Sequence, residues 1–200
     1  MVPLSPPLLI SAASVLVGAG AESETRRGRL LDLILRRVGQ PTDTSWSAAL
    51  VHHVGYWSHY DFVSGYSSWP LPATTDPQEL EAFGRERGIF ADEPERGDVF
   101  LQWSPARRHH ARAGIIVEVQ ELVKYPDSGR AYWVCSTIEG ETTDYGAPGG
   151  DGIHLVQRQL STARRDRFLR WTALDPRSAA ADPAARVRRE GGRLVIRRAA

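Results

Sequence analysis

Ser47 is the second residue of a segment, residues 46–57, whose pattern predicts a helix. The segment starts Trp46-Ser47-Ala48. The N-terminus of a helix carries partial positive charge and free N–H groups, so it stabilises an anionic nucleophile placed there. For serine this stabilisation, about 0.5–2 kcal/mol, is far too small to produce an alkoxide at neutral pH. Ser47 is therefore either a nucleophile with a general base beside it or an ordinary helix-start serine.

A candidate for that base is His110, in the polar segment 107–110 that precedes a predicted strand over residues 112–119. Side chains alternate along a strand, so His110 shares a face with Arg112 only if the strand extends backwards without a bulge. Arg112 cannot be the base itself, because a guanidinium stays protonated. A shifted loop that brings His110 to Ser47 is the route to an active serine site.

Metal and cysteine chemistry find little support in the residues. Cys135 is the single cysteine, so there is no intrachain disulfide and no cysteine-based zinc site, and its mid-strand position predicts a small buried residue. The adjacent pair His52 and His53 lacks convergent ligands from elsewhere and predicts packing or surface residues. An acidic, glycine-rich turn with Asp144 and Asp151 allows a weak calcium site, but its spacing matches no known loop. We expect no metal and no cofactor.

The elements that must position Ser47 follow a simple order. Helices are predicted over residues 25–38 and 46–57, and a third begins at Asp76 and Pro77 and ends at Gly88. Between them, residues 58–75 predict a packed aromatic loop. Strands are predicted after the helices, over residues 98–103, 112–119, 131–138, 152–159 and 167–172. Helices first and strands later predict an α+β fold with the helices on one side of an antiparallel sheet.

Composition restricts the class of protein. The chain has 200 residues, of which 42% are apolar and 24% charged, which suits one folded domain with short extensions. Twenty-five basic and 24 acidic residues leave a net charge of +1, which gives no general case for nucleic acid or an anionic membrane as a partner. No apolar run approaches the ~20 residues of a membrane-spanning helix. The oligomeric state is open.

The N-terminal segment, residues 1–24, has two interpretations. An apolar run over residues 8–17 and the small residues 19–21 resemble a signal peptide, but no basic residue precedes the run. Alternatively, Ser5 caps a helix that has proline at its first position. Localisation is therefore open between cytoplasmic and exported. Residues 17–23 are rich in glycine but lack the strand and the small third residue of a dinucleotide motif.

The C-terminal segment, residues 176–200, is rich in alanine and arginine and carries a local charge excess of +4 over residues 182–198. It predicts a solvated tail with one short strand over residues 193–197, or a basic arm that contacts a partner. The main domain then covers residues 25–175.

Several short motifs occur together in a characteristic order. They are Trp46-x-Ala48-Ala49-x-Val51, Pro94-x-x-Gly97-Asp98-Val99, the strand Arg112-Ala113-Gly114-Ile115-Ile116-Val117, and Glu139-Gly140-Glu141. Over about residues 12–160 the chain resembles the CHAP-type cysteine amidases and peptidases, which have a papain-like fold and cut bacterial peptidoglycan. The resemblance implies helices packed against an antiparallel sheet or half-barrel.

The resemblance also implies the site. The family's nucleophilic cysteine falls on Ser47, its general-base histidine on Arg112, its orienting glutamate on Glu139 and its asparagine on Glu141. Three of these four positions carry a different residue type. We expect Arg112 to pair with Glu139 or Glu141, which replaces a catalytic dyad with an ion pair.

This pattern leads to three hypotheses for function. The first is a CHAP-like domain with a degenerate site that binds peptidoglycan fragments, a peptide or a protein partner without cutting it. The second is an active amidase or endopeptidase that uses Ser47, His110 as the recruited base and Glu139 as its orienter. The third is a structural adaptor domain. Aromatic residues that supply a stacking surface beside the cleft are Trp46, Trp57, Tyr60, Tyr66 and Trp69.

Overall fold

Four helices precede the main sheet in the computed structural model. The structure describes residues 4–19, 29–40, 45–125, 130–142 and 152–175, and the backbone alone of residues 185–190 and 193–198. The helices are α1 (Pro6–Val15), α2 (Arg29–Arg37), α3 (Ser47–Ser58) and α4 (Pro77–Arg87). Asp76 caps α4 by accepting from the Gln78 N–H, and Gly88 ends it in the left-handed region at φ 64°. The three helices predicted after residue 24 are confirmed within the described residues.

Ten strands lie in the described part of the chain, together with two short 3₁₀ turns after the seventh and eighth strands. They are β1 (Tyr60–Asp61), β2 (Tyr66–Ser67), β3 (Phe90–Ala91), β4 (Val99–Ser104), β5 (His109–Lys124), β6 (Ala131–Thr142), β7 (Gly152–Leu160), β8 (Arg167–Leu169), β9 (Ala185–Glu190) and β10 (Arg193–Arg198). Six of them form one antiparallel sheet in the order β3-β8-β4-β5-β6-β7. The predicted α+β class, with helices packed on an antiparallel sheet, is confirmed.

The two faces of this sheet carry different clusters of apolar side chains. On the helical face, Leu101, Ala113 and Ile115 pack in one core with Leu50 and Val54 of α3. On the opposite face lies a smaller cluster formed by Phe100, Ile116, Cys135, Leu160 and Phe168. Because residues alternate along β5, Arg112 points to the same side as Ile116, away from α3.

The N-terminal helix belongs to the main core. Leu9 and Ala13 are fully buried in the same cluster as α3, and Ile10 is buried beside them. The Ser5 backbone starts α1 as expected, with proline after it, although the Ser5 side chain makes no capping hydrogen bond. None of the helices in the described residues is both long and apolar enough to cross a membrane.

Several sequence-based boundaries need correction. The predicted strand over residues 167–172 ends at Leu169 and continues as a short 3₁₀ turn, Trp171–Leu174. The predicted loop 58–75 contains the small β1–β2 hairpin. The tail, expected to hold one strand, has two antiparallel strands, β9 and β10. The glycine-rich residues 20–23 and the acidic turn before Gly152 lie outside the described residues.

Candidate functional site

Ser47 is the first residue of α3, and its hydroxyl is committed to a structural hydrogen bond. The hydroxyl oxygen accepts from the backbone N–H of Ala113 at 3.2 Å, and the residue is only 2% exposed. Ala113 lies one residue beyond Gly114, whose pairing with Glu139 is the last pair between β5 and β6. Ser47 therefore accepts an N–H that lies just past the end of the β5–β6 pairing. This hydrogen bond joins the start of α3 to β5.

Arg112 lies in a buried ion cluster centred on Glu139. Its Nη1 is 3.1 Å from Glu139 Oε2, which confirms the expected ion pair. Arg158 of β7 holds the same carboxylate with two hydrogen bonds of 2.6 Å, and the Thr137 hydroxyl donates a third at 2.7 Å. Glu139 is fully buried. The side chains of Arg112, Arg158 and Thr137 thus satisfy one buried carboxylate.

This cluster keeps Arg112 cationic. Burial lowers the pKa of the Arg112 guanidinium, and the charge of Glu139 opposes that shift by raising it. A guanidinium held on a carboxylate at neutral pH has no lone pair to accept a proton. Arg112 therefore has no capacity for general-base catalysis.

Glu141 lies at the N-terminus of α3 and binds its free N–H groups. Glu141 Oε2 accepts from the Ser45 hydroxyl at 2.5 Å and from the Trp46 backbone N–H at 3.0 Å. The Glu141 backbone has φ 57°, in the left-handed region that non-glycine residues rarely adopt. A carboxylate here stabilises the helix but also compensates the positive end that would otherwise favour an anionic Ser47.

His110 lies on the other side of the sheet from Arg112. The pairing of β4 with β5 passes from Gln102 opposite Arg112 to Trp103 opposite His110, so Ala111 is an extra, bulged residue. This bulge turns His110 to the helical face, so the no-bulge condition is not met, and both of its ring nitrogens have partners other than Ser47. His110 Nδ1 lies 2.7 Å from Glu81 Oε2 of α4, and its Nε2 lies 2.8 Å from the Arg165 carbonyl oxygen.

Two of the expected binding aromatics are core residues. Trp46 is 7% exposed, and its ring lies against Gly140. Trp69 is 8% exposed and packs on Trp171 with ring centroids 4.8 Å apart, directly over Gly55. These contacts bury both indole faces, so the expectation that Trp46 and Trp69 offer a stacking surface is wrong.

Three aromatics form a continuous group, named the aromatic surface here, of Trp57, Tyr60 and Phe62, whereas Tyr66 pairs with Asp61 and so lies on the other face of the hairpin. Trp57 is 40% exposed and lies 5.3 Å from the half-buried Tyr60, which lies 4.9 Å from the 82% exposed Phe62. Tyr66 is 76% exposed on β2. Ten residues of helix separate Ser47 from Trp57, about 15 Å at 1.5 Å per residue. The aromatic surface is therefore remote from the start of α3, and not beside it as expected.

The other candidates for chemistry have structural surroundings. Cys135 is fully buried, and burial raises the pKa of its thiol to about 11, which removes the thiolate at neutral pH. His59 is buried and accepts the Ser5 N–H at Nε2, 3.0 Å away. Within the described part of the chain, no group of three His, Cys, Asp or Glu side chains is placed to hold a metal ion.

Sequence reasoning missed Arg158 and Thr137, which complete the ion cluster, and Ala113, whose N–H binds Ser47. All three are brought to the site by strand pairing: Thr137 and Arg158 lie on β6 and β7, and Ala113 lies where β5 leaves β6. The only signal in the sequence was that Arg158 and Thr137 fall within predicted strands on either side of a glycine-rich turn.

No family model, no curated protein and no solved structure matches this chain. The chemistry open to the site follows from its geometry. Within the described residues, the Ser47 hydroxyl has a backbone N–H as its hydrogen-bond partner and no imidazole or carboxylate. A hydroxyl in that setting is held as an acceptor and lacks the adjacent base that serine nucleophiles need.

Proposed function

We propose that this chain is a CHAP-like domain with a degenerate catalytic site, which binds peptidoglycan fragments without cutting them. The observation that carries the proposal is the Ser47 hydroxyl, which accepts the Ala113 N–H at 3.2 Å and, in the part of the chain that the structure describes, has no base bonded to it. Amide hydrolysis by serine requires that its proton be removed as the nucleophile attacks. Because no acceptor for that proton lies at Ser47 among the described residues, its surroundings favour a binding protein over a serine hydrolase.

The charges around Ser47 support the same conclusion. Glu141 places a carboxylate at the start of α3, where an alkoxide would have to form, and like charges there raise the cost of the anion. The Arg112 cation could have stabilised that anion, but its side chain is held on Glu139 on the face of the sheet away from α3. The carboxylate of Glu139 would have oriented a histidine at position 112. It instead forms ion pairs with the guanidinium groups of Arg112 and Arg158.

The aromatic surface is the part of the molecule best suited to hold a glycopeptide. Aromatic rings offer flat apolar faces on which sugar rings stack, and Trp57 and Phe62 are well exposed. The Arg37 guanidinium lies 4.7 Å from the centre of the Trp57 ring. It fixes the ring and places a cation next to it, which suits the carboxylates of peptidoglycan stem peptides.

Calorimetric titration with purified muropeptides tests the binding. We expect saturable heat with the natural chain and at least ten-fold weaker binding by the variant Trp57→Ala/Phe62→Ala. Leu155→Ala is the matched control, since Leu155 is a 53% exposed apolar residue on β7, outside the aromatic surface. An absence of heat at millimolar muropeptide would overturn the proposed ligand and favour the adaptor hypothesis.

A hydrolysis assay on cell-wall substrate tests the loss of catalysis. We expect no turnover by the natural chain and none by Ser47→Ala. Turnover that disappears in Ser47→Ala would replace this proposal with the serine hydrolase. The variant Ser47→Cys/Arg112→His restores the two residue types of the related family, and amide cleavage by this variant would support the resemblance directly.

A further inference from the structure

A groove of about 350 Å³ lies between β4 and the 3₁₀ turn that follows β7, away from both Ser47 and the aromatic surface. Its size is at the lower end of the range for small-molecule sites. The residues that line it are Gln102, Trp103, Pro105, Ala163, Arg164, Arg165 and Asp166. Trp103 and Pro105 give it apolar surface, and the two arginines give it charge.

Uncompensated positive charge is concentrated at this groove. Arg164 and Arg165 are exposed on its wall, and Arg107 and Arg108 are exposed in the same turn as Pro105. Across the described ranges, no carboxylate lies within ion-pair distance of any of these four guanidinium groups. The chain's overall charge of +1 therefore conceals a local excess of cations.

Two acids near the groove offset this charge only in part: Asp166 acts on Arg164 through space, without an ion-pair contact. Asp166 is buried, and its carboxylate accepts hydrogen bonds from the backbone N–H groups of Trp103 and Ser161, both at 2.9 Å. Glu81 is bonded to His110 at 2.7 Å and to Arg85 at 2.5 Å. Both carboxylates thus hold the groove's walls together and leave its arginines to face solvent.

The wall formed by Arg165 and Trp103 is held in place by contacts within the protein. The Arg165 backbone has φ 70°, and its carbonyl accepts from His110 Nε2 at 2.8 Å, which holds this uncommon conformation. The Arg165 guanidinium lies 5.0 Å from the centre of the Trp103 ring, and that ring packs edge-on against His110. A wall that is already fixed loses little conformational entropy on binding.

We propose that this groove binds a small molecule that carries two or more phosphoryl groups. A carboxylate presents two oxygens and satisfies one guanidinium fork, whereas linked phosphoryl groups present enough oxygens for several. Trp103 and Pro105 then contact the organic part of the same molecule. This assignment is independent of the function proposed for Ser47 and the aromatic surface.

Calorimetric titration of the full chain with inorganic pyrophosphate and triphosphate tests the proposal, with citrate as the carboxylate counterpart. We expect both phosphates to bind, citrate to bind at least ten-fold more weakly, and Arg164→Gln/Arg165→Gln to weaken triphosphate binding at least ten-fold. Both arginines are exposed, and the glutamine side chain is close in length to that of arginine, so the double variant should fold. Triphosphate binding is also measured with the single variant Arg164→Gln.

The control is Arg36→Gln/Arg87→Gln, which removes the same charge from exposed positions on α2 and α4. Unchanged triphosphate binding by this control supports a defined site. Three results would overturn the proposal: no heat with any anion, an equal loss in the control variant, or citrate that binds as tightly as triphosphate.

Discussion

The hydroxyl oxygen of Ser47 accepts the backbone N–H of Ala113 at 3.2 Å, and this bond joins the first turn of α3 to β5 at the point where β6 separates from it. The position matches that of a nucleophile in the family the sequence resembles. Here the side chain satisfies a buried backbone donor.

Removal of this hydroxyl should destabilise the protein without an effect on any activity. Ser47→Ala leaves the Ala113 N–H buried and unbonded, which costs about 1–3 kcal/mol of unfolding free energy. Urea unfolding measures this loss. Ser136→Ala is the control, because the Ser136 hydroxyl binds an exposed glutamine side chain, and it should shift stability by about 0.5 kcal/mol or less. Equal losses in the two variants would contradict the role assigned to Ser47.

Neutralisation of Glu139 should be among the most damaging single changes in the chain. Glu139→Gln leaves the buried Arg112 and the half-buried Arg158 beside each other without their shared carboxylate, and broken buried ion pairs typically cost about 3–5 kcal/mol. Thermal and urea unfolding give the size of the effect. The matched control is Glu118→Gln at an exposed position on β5, where a change within about 0.5 kcal/mol is expected. Similar stability of both variants would show that the ion cluster is dispensable.

The substitution Gly55→Ala in α3 should destabilise the protein, which is the opposite of its usual effect inside a helix. Gly→Ala inside a helix normally stabilises by roughly 0.5–1 kcal/mol. A Cβ on Gly55 would lie 2.1 Å from the Trp69 ring, a rigid group held by Trp171, so Gly55→Ala should destabilise the protein instead. Gly84→Ala in α4 is the comparison, because its nearest contact is the flexible end of Leu169 at 2.5 Å. Its melting temperature should fall less; a rise for Gly55→Ala would refute the packing argument.

Acidification should weaken the fold through His53. Burial, followed by the charges of Arg37 and His52, lowers the pKa of His53 from 6.5 to about 4. Between these values the unfolded chain binds more protons than the folded one, so stability falls as the pH drops from 6.5 towards 4. The melting temperature should therefore decrease between pH 7 and pH 5, and by less in His53→Leu. An identical pH dependence in both proteins would exclude His53 as a source of the effect.

Local sequence patterns predicted the elements better than the site. The cap at Asp76, the proline after it and the glycine at 88 act within one helix, so α4 could be predicted from neighbouring residues alone. The Arg112–Glu139 pair was also expected. The partners of His110 were not, because one bulged residue, Ala111, turns its side chain to the opposite face, and no sequence pattern marks a bulge there.

The sequence by itself determined the α+β class, the positions of the main helices and strands, and the absence of a usable base at position 112, since these follow from periodicity and from the chemistry of single residues. Only the tertiary structure decided that Arg158 joins the Glu139 cluster, that Trp69 is buried, and that Arg165 and Trp103 line one groove. The reason is physical: strand register and helix packing bring together residues far apart in the chain, and both depend on the whole core rather than on any local pattern.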